Sequence, residues 1–117
     1  MKHGLIKVAA AIPAVKVADT KFNLIETEKQ IAIAEGQGVE IIVFPELSIT
    51  GYTCQDLFQQ QLLLDDTEQA VIDLLEFTRQ LDITVIVGAP VAVGALLLNC
   101  ALVIQQGKLL GIVAKTF

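Results

Sequence analysis

Three kinds of side chain in this sequence could do chemistry: one carboxylate, one ammonium and two thiols. Glu46 follows the apolar run Ile41-Ile42-Val43-Phe44-Pro45. That run has strand character, and ligands of open α/β sheets bind outside the carboxyl ends of the strands. A carboxylate set there among Phe44, Pro45 and Leu47 is partly desolvated, which raises its pKa toward the range of a general base. The competing reading is a solvated loop glutamate. Lys115 ends a second apolar run, Leu109-Leu110-Gly111-Ile112-Val113-Ala114. A lysine there either snorkels to water or meets an anion, because an unpaired buried charge is costly. Glu46 is the natural partner, and a working pair should bring carboxylate and ammonium within about 6 Å, where opposite charges shift each other's pKa. A thiol beside such a pair becomes a nucleophile: the glutamate takes its proton and the ammonium stabilises the developing oxyanion. Neither cysteine suits that role. Cys100 falls inside a strand pattern and reads as a small core residue. Cys54 has better access, but Thr53, Gln55 and Asp56 beside it offer nothing that lowers its pKa.

The elements that must position these groups follow from hydrophobic patterning. Leu5 to Ile12 is almost wholly apolar and reads as a strand covered on both faces, ended by Pro13. Asp19 or Thr20 can cap a helix, with Asn23 as a later competitor. Phe22, Ile25, Lys29, Ala32 and Ile33 recur at helical spacing before Gly36 and Gly38, which predicts a helix from roughly Lys21 to Gln37. Glu40 to Phe44 is a second short buried strand, so the first part is β-α-β with a right-handed crossover. Glu46 to Gln55 is rich in turn formers. Asp56 to Leu64 predicts a short helix, and Asp65 or Asp66 opens another to about Leu81, with Val71, Leu74, Leu75 and Thr78 on one face. Asp82 to Gly88 is a third buried strand, and after Pro90 the pattern changes. Leu97 to Gln105 and Lys108 to Ala114 are two further strands, joined by the hairpin signal Gln106-Gly107. The fold class is therefore α/β, as a single unit over residues 1–117.

Composition narrows the function. Of 117 residues, 54% are hydrophobic and 18% charged, which excludes disorder. The net charge of −5 argues against nucleic acid and anionic membrane surfaces as partners. No apolar run approaches the roughly 20 residues of a spanning helix, and Lys7 interrupts the only stretch that could be a secretory h-region. Two cysteines make no disulfide framework, so a cytoplasmic location is expected. No His/Cys cluster and no glycine-rich phosphate loop is present, which predicts neither a metal site nor a nucleotide site in this chain. The apolar surplus, and an ending inside a strand pattern at Ala114-Lys115-Thr116-Phe117, suggest a piece of something larger that self-associates when alone.

Certain stretches also resemble a known family. Val43-Phe44-Pro45-Glu46-Leu47-Ser48-Ile49-Thr50-Gly51-Tyr52 resembles the glutamate motif of the nitrilase, or carbon–nitrogen hydrolase, superfamily. Asn99 to Lys108, followed by Gly111-Ile112-Val113-Ala114-Lys115-Thr116, resembles the approach to its lysine motif. Gly51-Tyr52-Thr53-Cys54-Gln55-Asp56-Leu57-Phe58 and Pro13 to Asp19 are similar to the glutaminase domain of glutamine-dependent NAD synthetases. The resemblance implies the N-terminal portion of an α-β-β-α sandwich with a Cys-Glu-Lys triad. Glu46 and Lys115 match its glutamate and lysine, and Tyr52 would line the glutamine pocket. The nucleophilic cysteine of that family lies beyond its lysine, so neither Cys54 nor Cys100 matches it. The synthetase domain, with its ATP and magnesium, is likewise implied elsewhere in the same polypeptide, and this piece alone would be inactive. Two other readings stay open: a piece of another superfamily amidase or carbamoylase, and a non-catalytic α/β binding or scaffolding module in which Glu46 and Lys115 form a structural pair.

Overall fold

The structure is a computed structural model that describes residues 6–16, 19–45, 49, 57–94 and 96–114, with backbone alone at 57–60, 96 and 97. Its elements run β1 (Val8–Ala10), α1 (Thr20–Gly36), β2 (Ile41–Val43), α2 (Leu57–Thr78), β3 (Thr84–Val93), β4 (Leu96–Gln105) and β5 (Lys108–Ala114). The five strands form one sheet in the order β1-β2-β3-β4-β5. β1, β2 and β3 are parallel, and β4 and β5 continue the sheet antiparallel. This is the α/β order expected: parallel strands take a helix at each crossover, and the antiparallel part turns through a tight hairpin. At that hairpin Gln106 has φ 48° and Gly107 φ 79°, the pair of positive angles that a two-residue turn matching strand twist requires.

Strand register sorts the side chains onto two faces. Ile42 pairs with Val85, and Val85 with Ile104; Val87 pairs with Leu102, and Ala89 with Cys100. All seven are buried, and they form one core with Leu24, Ile31 and Ala34 of α1 and Ala70 and Leu74 of α2. The opposite face carries Ala10, Val43, Ile86, Val103 and Gly111 in one row. No described helix covers it, and Val8 and Val113 on that face are 59% and 60% exposed. The two-sided cover predicted for the first strand is therefore corrected: β1 is three residues long, with Val8 and Ala10 exposed. The central strands are buried on the helix side, and the exposure falls on β1, β2, β5 and the end of β3 at Val93.

Three other expectations change. On α1 the buried residues are Thr20, Asn23, Leu24, Thr27, Ile31 and Ala34, while Ile25 and Ile33 face outward. Apolar spacing pointed to the wrong face because the inner face holds polar groups satisfied locally: Thr27 Oγ1 donates to the Asn23 carbonyl at 2.8 Å. Asp19 is the cap, its carboxylate accepting from Phe22 N at 3.0 Å, and Asn23 is inside the helix. The two helices expected between Asp56 and Leu81 are one, α2, which runs through Asp65 and Asp66. Both aspartates are exposed, so their charge is solvated without a helix start, and Gln61 Nε2 donates to Asp65 Oδ1 at 3.0 Å one turn on. Finally, β3 continues through Pro90, which pairs with Asn99. Phe44 N donates to Ile86 O, and Ile49 N to Gly88 O, so even-numbered residues of β3 turn their backbone polar groups toward β2. β2 ends at Val43, so among the described residues no β2 carbonyl faces the position where Pro90 lacks its N–H.

Candidate active site

β2, β3 and β5 all run in one direction, since β5 is antiparallel to β4 and β4 to β3. Their carboxyl ends therefore share one end of the sheet, where an open α/β sheet receives ligands. Phe44, next after β2, is buried, and its N–H donates to Ile86 O at 2.9 Å. Ile49 is buried too, and its N–H donates to Gly88 O at 3.3 Å. Two residues of the Glu46 segment are thus tied to β3, two positions apart. On the other side, Ala114 pairs with Cys100, and Cys100 with Ala89, which follows Gly88. One cross-strand row therefore joins the residue before Lys115 to the part of β3 that holds Ile49. Two strand spacings separate β3 from β5, about 10 Å.

Glu46, Lys115, Tyr52 and Cys54 themselves lie outside the described residues, and so does the expected approach of the Glu46 and Lys115 charges. Cys100 is described. It is buried, its Sγ lies 3.8 Å from Leu98 O, and burial pushes its thiol pKa up. A thiol held protonated in the sheet is a core residue, as its strand pattern indicated. Among the described residues, no group of three or more His, Cys, Asp or Glu side chains could hold a metal, and no helix is long and apolar enough to cross a membrane.

A residue that sequence reasoning weighed only as a helix cap stands at this end. Asn23 is 1% exposed and binds both Lys16 and Ile49 through its side-chain amide. The available signal was its type: asparagine is a poor helix-interior residue, and inside an apolar helix it needs partners. Described concavities lie elsewhere. One is at the amino end of the parallel strands, lined by Glu35, Glu40, Asp82 and Thr84, and another lies between α2 and β5, over Val71, Leu102 and Ile112. The first is at the wrong end of the sheet for a ligand of a parallel α/β unit.

The five-stranded sheet carries its helices on one face, and the carboxyl ends of β2, β3 and β5 share one end of it. The Carbon-nitrogen hydrolase family matches residues 7–116, and the chain belongs to that family. It is 33% identical over 116 residues to the glutamine-dependent NAD(+) synthetase of Mycobacterium tuberculosis strain ATCC 25618 / H37Rv, covering 99% of this chain and 17% of the relative. It is 42% identical over 77 residues to the glutamine-dependent NAD(+) synthetase of Aquifex aeolicus strain VF5, covering 66% of this chain and 13% of that protein. Among solved structures, a glutamine-dependent NAD(+) synthetase from Cytophaga hutchinsonii superposes with a TM-score of 0.86 at 29% identity, over 96% of this chain and 19% of that one. An amidase from Nesterenkonia sp. shares the fold, with a TM-score of 0.79 at 21% identity over 96% of this chain and 43% of the amidase. The chain thus spans about a sixth of the length of the synthetases it matches, 17% for the mycobacterial protein.

Proposed function

We propose that this chain is the N-terminal part of the glutamine amidohydrolase domain of a glutamine-dependent NAD synthetase. The observation that carries the reading is the 33% identity across 99% of the chain to proteins of that activity. In the complete protein, a cysteine thiolate beyond Lys115 attacks the side-chain amide of glutamine and forms a glutamyl thioester while ammonia leaves. Glu46 serves as the general base and acid: it takes the thiol proton and gives it to the departing nitrogen so that ammonia leaves, then takes a proton from the water that hydrolyses the thioester and returns it to the thiolate. Lys115 stabilises the oxyanion at each step, and Tyr52 lines the glutamine pocket. Ammonia passes to a synthetase domain in the same polypeptide. There ATP, with magnesium, activates nicotinate adenine dinucleotide for amidation to NAD. ATP binding and ligase chemistry belong to that domain, the site of action is the cytoplasm, and the present chain alone is inert. The exposed Val8, Val43, Ile112 and Val113 support self-association of the isolated chain, which sedimentation at micromolar concentration tests.

The test is activity of the complete protein with glutamine and with ammonia. Glu46→Gln and Lys115→Met should each lower glutamine-driven NAD formation by roughly 100-fold or more, while ammonia-driven formation is unchanged. Equal loss with both nitrogen sources would refute the assignment. Glutamate release by the 117-residue chain, abolished by Cys54→Ala, would make Cys54 the nucleophile instead.

A further inference from the structure

The buried amide of Asn23 ties the start of the chain to the segment that follows Glu46. Asn23 Oδ1 accepts from Lys16 N at 2.7 Å, and Nδ2 donates to Lys16 O at 2.8 Å and to Ile49 O at 2.8 Å. Both amide donors are thereby engaged. The two-point contact with Lys16 fixes the plane of the amide, and the second N–H is aimed at Ile49 as a result. Ile49 is in turn held three ways: by that bond, by its own N–H to Gly88 O at 3.3 Å, and by a fully buried side chain. Phe44 is anchored two β3 residues earlier, at Ile86 O. The Glu46 segment therefore has two feet on β3, spaced roughly 7 Å along the strand. Strand-like pairing secures the first foot, and the Asn23 amide secures the second.

Such an amide is a costly way to fill a helix interior. Asparagine lowers helix propensity, and its burial is tolerated because every polar group is paired. A leucine of similar size would fill the space, but it could hold neither Lys16 nor Ile49. We propose that Asn23 is a positioning residue for Glu46, fixing the carboxyl-side foot of the segment so that the carboxylate meets the reacting thiol. The proposal rests on Glu46 as general base. Asn23 touches no reacting atom and exchanges no proton. Its effect is on the orientation of the base, so it should appear in kcat rather than in glutamine binding.

The experiment compares Asn23→Leu with Thr78→Val in the complete synthetase. Thr78 is also buried and also bridges, donating to Leu75 O at 2.9 Å and accepting from Gly107 N at 3.1 Å, but it does so at the hairpin end of the sheet. Asn23→Leu should lower kcat for ammonia release about 10- to 100-fold, with KM for glutamine within about 3-fold. Thr78→Val, at similar loss of stability, should keep kcat within about 3-fold. Asn23→Asp serves where the leucine variant folds poorly. Its carboxylate has no donor at neutral pH, whereas its protonated form regains one, so its kcat relative to the unaltered enzyme at the same pH should recover on acidification. Glu46→Gln is assayed alongside. If Glu46→Gln is inactive while the Asn23 variants follow Thr78→Val, and Asn23→Asp shows no recovery, the positioning role is wrong and the base assignment stands. If Glu46→Gln retains full activity, the base assignment falls and the positioning role falls with it.

Discussion

The two ends of the sheet are closed by different means. At the end where β2 begins and the β4–β5 hairpin turns, short polar contacts do the work. Thr84 N donates to Glu40 O at 2.8 Å, Glu40 N to Lys7 O at 2.8 Å, and Lys7 Nζ to Gln37 O at 2.7 Å. Asp82 gathers the hairpin, its carbonyl accepting from Gln105 Nε2 at 3.3 Å and its carboxylate from Gln106 Nε2 at 3.2 Å. The opposite end is held by the buried side chains of Phe44 and Ile49 and by the Asn23 amide. These cross-strand and hairpin contacts satisfy one another around the concavity lined by Glu40, Asp82 and Thr84. An end tied down by a few interior anchors leaves its intervening segments available for chemistry. On the proposed function, the difference separates a stability end from an activity end, and it can be attacked from either side.

The largest effect should come from a core cavity. Ile104 is fully buried in the row that joins Val85 and Leu109, close to the hairpin. Ile104→Ala should cost about 2–5 kcal/mol in unfolding free energy, read by urea titration, with little further effect on glutamine-driven kcat of the intact protein that remains folded. Ile49→Ala empties a site of equal burial at the other end and should lose kcat beyond what its stability explains. If the two variants show the same ratio of activity loss to stability loss, the division of labour between the ends is wrong.

Next in size is Thr78→Val. It leaves the Gly107 N–H without its partner, at about 1–3 kcal/mol for a polar group stripped of its bond. Gly107→Ala should follow, at about 1–2 kcal/mol for a side chain forced into the left-handed region. Gly107 has φ +79°, and a Cβ there would lie 3.1 Å from Arg79 Cγ and 3.4 Å from Leu75 O. Each should raise amide exchange at the hairpin before it does so at Phe44 or Ile49. Faster exchange at Ile49 in either variant would show that the ends are one cooperative unit.

The stability end was largely legible in the sequence, because its signals are local. Gln106-Gly107 between two apolar runs specifies a hairpin through backbone angles alone, and Ile83, Val85 and Val87 alternate inward as a strand must. What was misread depended on side-chain hydrogen bonds, solvent and strand ends that hydrophobic spacing does not report. The inner face of α1 is hidden from hydrophobic spacing because Asn23 and Thr27 are buried through bonds to backbone carbonyls. The break suggested at Asp65-Asp66 fails because solvent, not a helix terminus, accommodates the charges. Pro90 reads as a strand end, and is not one, because β2 stops short of it. At the activity end, the motif around Glu46 and the one before Lys115 were readable as residues and spacing. The bond from Asn23 to Ile49, across 26 positions, has no local signature.

The smallest effect concerns neither end. Glu28 is eight residues from the start of α1 at Thr20 and eight from its end at Gly36. Partial burial raises its pKa above the ordinary value, and the Asp73 carboxylate on α2 raises it further. Asp73 is itself oriented by Gln69 Nε2, which donates to Asp73 Oδ1 at 3.0 Å. A carboxyl whose folded pKa exceeds its unfolded one binds more protons in the native state. Its stabilising contribution is therefore complete below the unfolded pKa, near 4.5, and is lost as pH rises through the folded value. Glu28→Gln removes the ionisation, so the variant should be more stable than the unaltered chain at neutral pH, and the advantage should shrink as the pH falls toward the ordinary carboxyl range. Solvent screens a group with this much exposure, so the gain is small. Paired urea titrations through that pH window read it directly. A glutamine variant less stable at neutral pH, or a difference that ignores pH, would refute the repulsion. Because Glu28 sits between the helices, its relief should slow exchange at Ile49 and at Gly107 alike, whereas the Asn23 and Thr78 variants should each loosen one end first.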